Sequence, residues 1–176
     1  MASGDGVTTT WHRRPRREPE DATSTLFPRE KPDGWNSDQW ATPWQTIREL
    51  ERRFGPFDLD PACQEHTAKA PTFYTIEQDG LSKPWFGRVF CNPPYSKPGP
   101  WCDKARQETV GGNAELVVML LPASVDTGWF HDLVLPFADV QFLRGRVRFI
   151  GWEGTPIGSP KSPSILAIYR TERQAA

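Results

Sequence analysis

Short apolar segments that end at a proline or a glycine alternate with helix-forming segments from residue 35 onward, and this alternation constrains the fold most. Strand patterns lie at 57–60, 73–75, 88–91, 115–121, 140–143, 147–150 and 164–169. Strands that alternate with helices favour a mainly parallel sheet covered on both faces. The sequence therefore predicts a compact α/β domain with a mostly parallel sheet of about seven short strands. A late hairpin joined through residues 144–146 is expected to add an antiparallel strand.

The clearest helix pattern begins after Thr42. Thr42 is expected to cap the helix, Pro43 to occupy the first turn and Gln45 to complete a capping box. Apolar residues at helical spacing continue to Phe54, and Gly55 ends the pattern. A second helix is predicted at 100–110, and a short third one is expected to be capped by Asp126 or Thr127.

Residues 1–34 contain few aliphatic side chains and are predicted to form a disordered tail before a domain at 35–176. Arginines cluster at 13–17 in this tail. They form either a solvated segment or a mobile arm that contacts phosphates.

Composition excludes several classes of protein. The chain of 176 residues has a net charge of -1, so it lacks the overall basic excess of many nucleic-acid binders. Its longest aliphatic run, at 116–121, is too short to span a bilayer, and its N-terminus lacks the apolar stretch of a secretory signal. These features predict a cytoplasmic protein without membrane partners. Three cysteines without C-x-x-C spacing argue against a disulfide framework and a zinc site.

The tetrapeptide Asn92-Pro93-Pro94-Tyr95 directly follows an apolar strand pattern. The carboxyl ends of strands are where open α/β sheets bind ligands. Two prolines remove two backbone donors and leave carbonyl acceptors beside the Asn92 amide oxygen. This set suits an exocyclic amine whose two N–H groups are accepted by Asn92 and the Pro93 carbonyl. The ring of Tyr95 offers a flat face for stacking on a planar base.

This tetrapeptide is a variant of Asp-Pro-Pro-Tyr and resembles the catalytic motif of amino-methyltransferases that use S-adenosylmethionine. Its neighbours resemble, in order, the phage-type DNA N6-adenine methyltransferase family over roughly residues 35 to 170. The matching blocks are 39–43, 57–62, 79–81 with Trp85, 92–96 and 142–146. The resemblance implies a Rossmann-like methyltransferase fold, S-adenosylmethionine as cofactor, and methyl transfer to N6 of an adenine flipped out of duplex DNA.

The resemblance also implies a set of site residues. The catalytic ones are Asn92, Pro93, Pro94 and Tyr95, and the cofactor-binding ones are Trp40, Thr42, Pro43, Asp60, Pro61, Ala62, Asp79, Gly80 and Leu81. The segment 63–66 departs from the glycine-rich turn of many methyltransferases. Which of Asp60, Glu77 and Asp79 binds which cofactor group therefore stays open.

Arg144, Arg146 and Arg148 alternate along one predicted strand, so their side chains are expected on one face. Three guanidinium groups so close together face either an anion or solvent. Phosphate of DNA is the partner that a bidentate guanidinium fits, and a solvated edge strand is the alternative.

Other functions remain open at the level of sequence. Asn-Pro also initiates ordinary turns, and Asp60 also suits a structural role as a helix cap. The tetrapeptide occurs in enzymes that methylate RNA adenine or a glutamine amide. A further alternative is a catalytically silent DNA-binding module. The recognition sequence and the oligomeric state, monomer or weak dimer, are not predicted.

Overall fold

The computed structural model describes residues 33–157 and 162–171, which form one mixed sheet with a helix on each face. The helices are α1 (Trp44–Phe54) and α2 (Gly99–Val110). The strands are β1 (Leu59–Asp60), β2 (Thr72–Phe73), β3 (Gly87–Cys91), β4 (Ala114–Pro122), β5 (Ala138–Phe142) and β6 (Ser164–Arg170). Their order across the sheet is β2-β1-β3-β4-β6-β5.

Four neighbouring strands are parallel, and β6 runs antiparallel to both of its neighbours. Val89 of β3 pairs with Val117 of β4 in the parallel part, and Leu120 of β4 pairs with Leu166 of β6 in the antiparallel part. The carboxyl ends of β1, β3, β4 and β5 therefore meet at one edge of the sheet. The prediction of an α/β fold with a mostly parallel sheet is confirmed.

The prediction of a hairpin at 140–150 is wrong. The described residues form a sheet of six strands, whereas about seven were expected. Residues 147–149 have no strand structure, and Ile150 makes only isolated bridges to Ala41 and Pro156. The antiparallel strand is instead β6, which inserts between β4 and β5. β6 takes this place in the sheet because its residues 164–169 can be buried. The segment with Arg144, Arg146 and Arg148 keeps these three side chains exposed.

The central strand β4 divides the core into two layers. Val117, Met119 and Leu121 pack in the layer that contains Cys102 and Ala105 of α2. Leu116, Val118 and Leu120 pack with Ile47 and Leu50 of α1 in the other layer. Strands buried on both faces are typical of sheets with a helix on each side, as the sequence predicted.

The helix bounds agree with the sequence, but the predicted caps are wrong. The N-cap of α1 is Pro43, without a side-chain cap bond, so Thr42 does not cap the helix. The short third helix is a π-helical turn, Phe130–Val134, that follows Trp129. The Thr127 hydroxyl donates to the Ser124 carbonyl instead of capping that turn.

The predicted tail at 1–34 lies outside the described residues except for Asp33 and Gly34, which form a turn. Its arginine cluster is outside them altogether. In the part of the chain that the structure describes, no helix has the length and apolar character needed to cross a bilayer.

Candidate active site

A cavity of about 770 Å³ opens at the sheet edge where β1 and β3 end. Its walls come from residues 34–42, from the loops after β1 and β2, and from the tetrapeptide after β3. Small-molecule and cofactor sites usually span roughly 300–1,000 Å³. The cavity includes nine of the predicted site residues: Trp40, Thr42, Asp60, Pro61, Ala62, Asp79, Gly80, Asn92 and Pro94. Pro43, Leu81, Pro93 and Tyr95 are not among its lining residues.

The Asn92 amide has a fixed orientation at the cavity wall. Its Nδ2 donates to the Trp40 carbonyl at 3.0 Å. Because a carbonyl only accepts, the NH₂ group must face Trp40, which leaves Oδ1 on the other side. Asn92 Oδ1 is buried and has no hydrogen-bond partner in the structure. An unsatisfied buried acceptor costs about 1–3 kcal/mol, so this oxygen is prepared for a donor.

Thr42 supplies a second unsatisfied polar atom. The residue is 2% exposed, and its Oγ1 has no hydrogen-bond partner in the structure. Thr42 and Asn92 line the same cavity. Buried polar atoms without partners are rare in folded proteins, and two in one cavity indicate a polar ligand.

Asp60 holds the loop that forms the floor of the cavity. Its carboxylate accepts from the backbone N–H groups of Lys69 at 3.0 Å and Ala62 at 3.4 Å. Burial raises the pKa of Asp60 to about 6, although these two hydrogen bonds and the Lys69 charge favour the ionised form. Asp60 is a residue of the cavity wall, and its carboxylate fixes the loop at 61–69.

Two further acids lie on the exposed rim of the cavity. Glu77 belongs to the 3₁₀ turn Ile76–Gln78, and Asp79 ends that turn with a positive φ of 53°. The Glu77 carboxylate accepts from the Thr75 hydroxyl at 2.6 Å, which lowers the pKa of Glu77. Both acids are among the residues that line the cavity.

Gly80 lies where the loop after β2 crosses the loop after β1. A Cβ at this position would stand 2.0 Å from the Pro61 carbonyl oxygen, so a side chain does not fit. The Gly80 carbonyl accepts from Trp85 Nε1 at 2.8 Å. This crossing gives a structural reason for the glycine within the predicted Asp79-Gly80-Leu81 block.

Tyr95 is anchored beside the cavity. Its hydroxyl is 3.2 Å from Ser164 Oγ, and its ring meets Phe149 edge-on with centroids 5.8 Å apart. Burial raises the pKa of the Tyr95 hydroxyl well above its usual value. The stacking role assigned to this ring stays a prediction.

The arginines at 144, 146 and 148 are exposed, but they do not lie on a strand. They belong to residues 143–150 after β5, a segment that we call the excursion. The predicted geometry of one strand face is therefore wrong. Gly145, with φ +85°, turns the chain between the first two. Contact with DNA stays a prediction for all three.

Lys69 is a cavity residue that was not predicted from the sequence. Its backbone N–H bonds to Asp60, it is 7% exposed, and its ammonium lies 4.5 Å from the ring centroid of Trp44. Burial lowers its pKa. The sequence feature that could have indicated this position is a lysine between Ala68 and Ala70, close after the predicted ligand-binding residue Asp60.

The fold and cavity define an α/β protein with a candidate ligand site at the carboxyl edge of a mostly parallel sheet. A family model described as DNA N-6-adenine-methyltransferase (Dam) matches residues 31–176. The chain belongs to this family.

Relatives with the same description come from phages. A DNA N-6-adenine-methyltransferase of Haemophilus phage HP1 is 36% identical over 138 residues, which cover 76% of this chain and 79% of the relative. One from Escherichia phage T1 is 32% identical over 152 residues, which cover 76% of this chain and 63% of the relative. A crystal structure of a candidate RNA methyltransferase from Pyrococcus horikoshii is 12% identical, with a TM-score of 0.47, and the match covers 80% of this chain and 88% of that one.

Proposed function

We propose that this protein transfers a methyl group from S-adenosylmethionine to N6 of an adenine turned out of duplex DNA. The observation that carries the proposal is the buried Asn92 Oδ1, which has no partner in the structure and belongs to a residue that lines a cavity of cofactor size. An adenine amine needs acceptors for its two N–H groups. Membership of the DNA N-6-adenine-methyltransferase family supports the choice of substrate.

The cavity residues fit S-adenosylmethionine. Thr42 offers an unpaired hydroxyl, and the exposed acids Glu77 and Asp79 suit ribose hydroxyls and the adenine amine, which are donors.

Asp60 and the loop it fixes, with Pro61 and Ala62, would hold the methionine end, whose ammonium complements a carboxylate. Trp40 completes the wall, and Pro43 and Leu81 adjoin the wall residues Thr42 and Gly80 in the chain. The bound cofactor supplies a methyl group activated by positive sulfur.

The chain contributes orientation to the transfer. Asn92 Oδ1 and the Pro93 carbonyl would accept hydrogen bonds from the two N–H groups of the base amine. The lone pair of the amine nitrogen would then be oriented toward the methyl donor. A bound cofactor would supply the methyl carbon to this lone pair, and the electron pair of its carbon–sulfur bond would remain with the sulfur. The amine then releases one proton to water. No base is required for this sequence of steps.

Tyr95 and the arginine excursion complete the proposed site. Ser164 and Phe149 hold the Tyr95 ring beside Pro94, where it would stack on the flipped adenine. Arg144, Arg146 and Arg148 are exposed in the segment after β5, whose end lies at the same sheet edge as the cavity. They would bind the phosphates of duplex DNA.

The proposal is tested by incubating the purified protein with S-adenosylmethionine labelled in the methyl group and a mixture of duplex DNA, RNA and protein. Each pool is then separated, and the nucleic acids are digested to nucleosides. We expect the label in N6-methyladenine from DNA. Label in RNA adenine or in glutamine would favour those alternative enzymes. DNA binding without transfer would favour a silent binding module.

A further inference from the structure

A short segment before α1 is joined by two hydrogen bonds to the loop that carries the Asn-Pro-Pro-Tyr tetrapeptide. Asp38 Oδ1 accepts from the Ser96 backbone N–H at 3.0 Å. The Trp40 carbonyl accepts from Asn92 Nδ2, also at 3.0 Å. We call residues 36–41 the clasp, because both bonds fasten the tetrapeptide loop to it.

The clasp is braced by hydrogen bonds within its first turn and is tied to another segment at its end. At its start, Asn36 Oδ1 accepts from the Asp38 N–H at 2.8 Å, and Gln39 Oε1 accepts from the Asn36 N–H at 3.0 Å. At its end, Ala41 exchanges two backbone hydrogen bonds with Ile150, at 3.0 and 2.8 Å. Reciprocal caps and a two-bond bridge make this segment a firm support.

The tetrapeptide loop has few backbone hydrogen bonds of its own. Pro93 and Pro94 have no backbone N–H to donate. The backbone bond within this loop runs from the Lys97 N–H to the Pro94 carbonyl and is long, at 3.3 Å. The clasp therefore restrains the loop at the point where the prolines remove backbone donors.

Orientation of the Asn92 amide is decisive for the proposed chemistry. If the amide turned over, Nδ2 would face the cavity, and its N–H groups would oppose those of the adenine amine. The hydrogen bond to the Trp40 carbonyl prevents this rotation of the amide only while Asn92 stays within hydrogen-bonding distance of that carbonyl. Ser96, four residues on, keeps the loop in place through Asp38.

We propose that Asp38 is a positioning residue for methyl transfer, which holds the tetrapeptide loop so that the Trp40 carbonyl fixes Asn92 with its oxygen toward the base. The inference rests on the proposed function, since it concerns the same site. Asp38 also lines the cavity. A role as a cofactor ligand is therefore the alternative that the test must separate.

The test compares Asp38→Ala, Asp38→Asn and the wild type in single-turnover methylation at saturating S-adenosylmethionine. Asp38→Ala loses the acceptor for Ser96, and we expect its rate to fall at least tenfold while the Kd of the cofactor changes less than twofold. Asp38→Asn keeps an acceptor oxygen and should stay within threefold of the wild-type rate. Ser37→Ala changes an exposed neighbour in the same turn and serves as the matched control.

Hydrogen exchange of the segment 92–98 in the free protein gives a readout that does not depend on turnover. We expect faster exchange in Asp38→Ala and wild-type exchange in Asp38→Asn. If Asp38→Ala does not fold, Asp38→Glu moves the acceptor by one methylene and should slow transfer and speed exchange in the same way.

Equal rates and equal exchange in the wild type and the tested variant would overturn the inference. So would a loss confined to cofactor affinity, with a normal rate at saturation, because Asp38 would then be a ligand. A wild-type protein that methylates no DNA would contradict the proposed function instead, and the exchange data would still decide whether Asp38 holds the loop.

Discussion

Asn92 has two hydrogen-bonding groups with different environments. Its NH₂ group is bound to the Trp40 carbonyl, whereas its oxygen is buried without a partner in the structure. A purely structural turn would be expected to satisfy both groups, since buried polar atoms are nearly always paired. The arrangement is therefore better explained by a ligand that donates a hydrogen bond.

Asp60 combines a structural and an electrostatic role. In the free protein, burial raises its pKa to about 6, compared with about 3.9 in an unfolded chain. Between about pH 4 and 6 the folded state therefore binds more protons than the unfolded state. The contribution of Asp60 to the free energy of unfolding should fall as the pH rises through this range, by about 3 kcal/mol in total.

We expect the Asp60 side-chain carboxyl carbon to titrate at a pH of about 6 in NMR spectra of the protein without cofactor. Addition of S-adenosylmethionine should lower this pKa if the cofactor ammonium lies beside the carboxylate. A midpoint of about 4 in the free protein, the value of an unperturbed aspartate, would contradict burial as the dominant influence on Asp60.

Some site residues could be predicted from sequence and others could not. Asp60 ends one strand pattern and Asn92 directly follows another, so their positions at the sheet edge could be predicted from local sequence. Thr42 precedes a proline and a helix, a pattern that also predicts a cap, and only tertiary packing reveals its unpaired hydroxyl. Asp38 acts on Ser96, 58 residues away, and no local pattern encodes that contact.

At the level of elements, the excursion between β5 and β6 was the hardest part to predict. Alternating apolar and charged residues at 143–149 match a strand pattern, but a strand also needs a partner edge. The sequence of β6 is apolar at nearly every position and occupies the place beside β5. The excursion instead leaves the sheet and joins the clasp through Ile150.

This excursion is the element expected to bind DNA. Replacing Arg144 and Arg148 together by alanine should weaken DNA binding across all sequences. It should also reduce the slope of log K against log salt by about 0.9 for each phosphate that the variant no longer neutralises. The measurement is a salt titration of DNA binding by fluorescence anisotropy.

A matched control for this experiment is Arg48→Ala with Arg52→Ala on α1, which removes the same charge from exposed positions of another element. The control should leave the slope close to that of the wild type. If the excursion variant and the control behave alike, the arginines belong to a solvated loop.

At the scale of the whole molecule, the sheet topology gathers the site. The parallel strands β2, β1 and β3 end at the edge where the cavity lies, and residues of β1 and β3 belong to the two core layers. The clasp, which precedes α1 in the chain, is hydrogen-bonded to the tetrapeptide loop at this edge. Acids, amide and hydroxyl from four separate segments therefore line one cavity.

The measurement that tests the central claim most directly is single-turnover methylation of DNA by Asn92→Ala at saturating S-adenosylmethionine. Asn92→Asp keeps an acceptor and should retain measurable activity. Asn113→Ala removes an asparagine beyond the end of α2, outside the cavity, and should act as the wild type. For Asn92→Ala we predict an unchanged cofactor Kd and a rate at least a hundredfold lower, a loss of about 2.7 kcal/mol in transition-state stabilisation. Methylation by Asn92→Ala at the wild-type rate would contradict the proposed role of this amide.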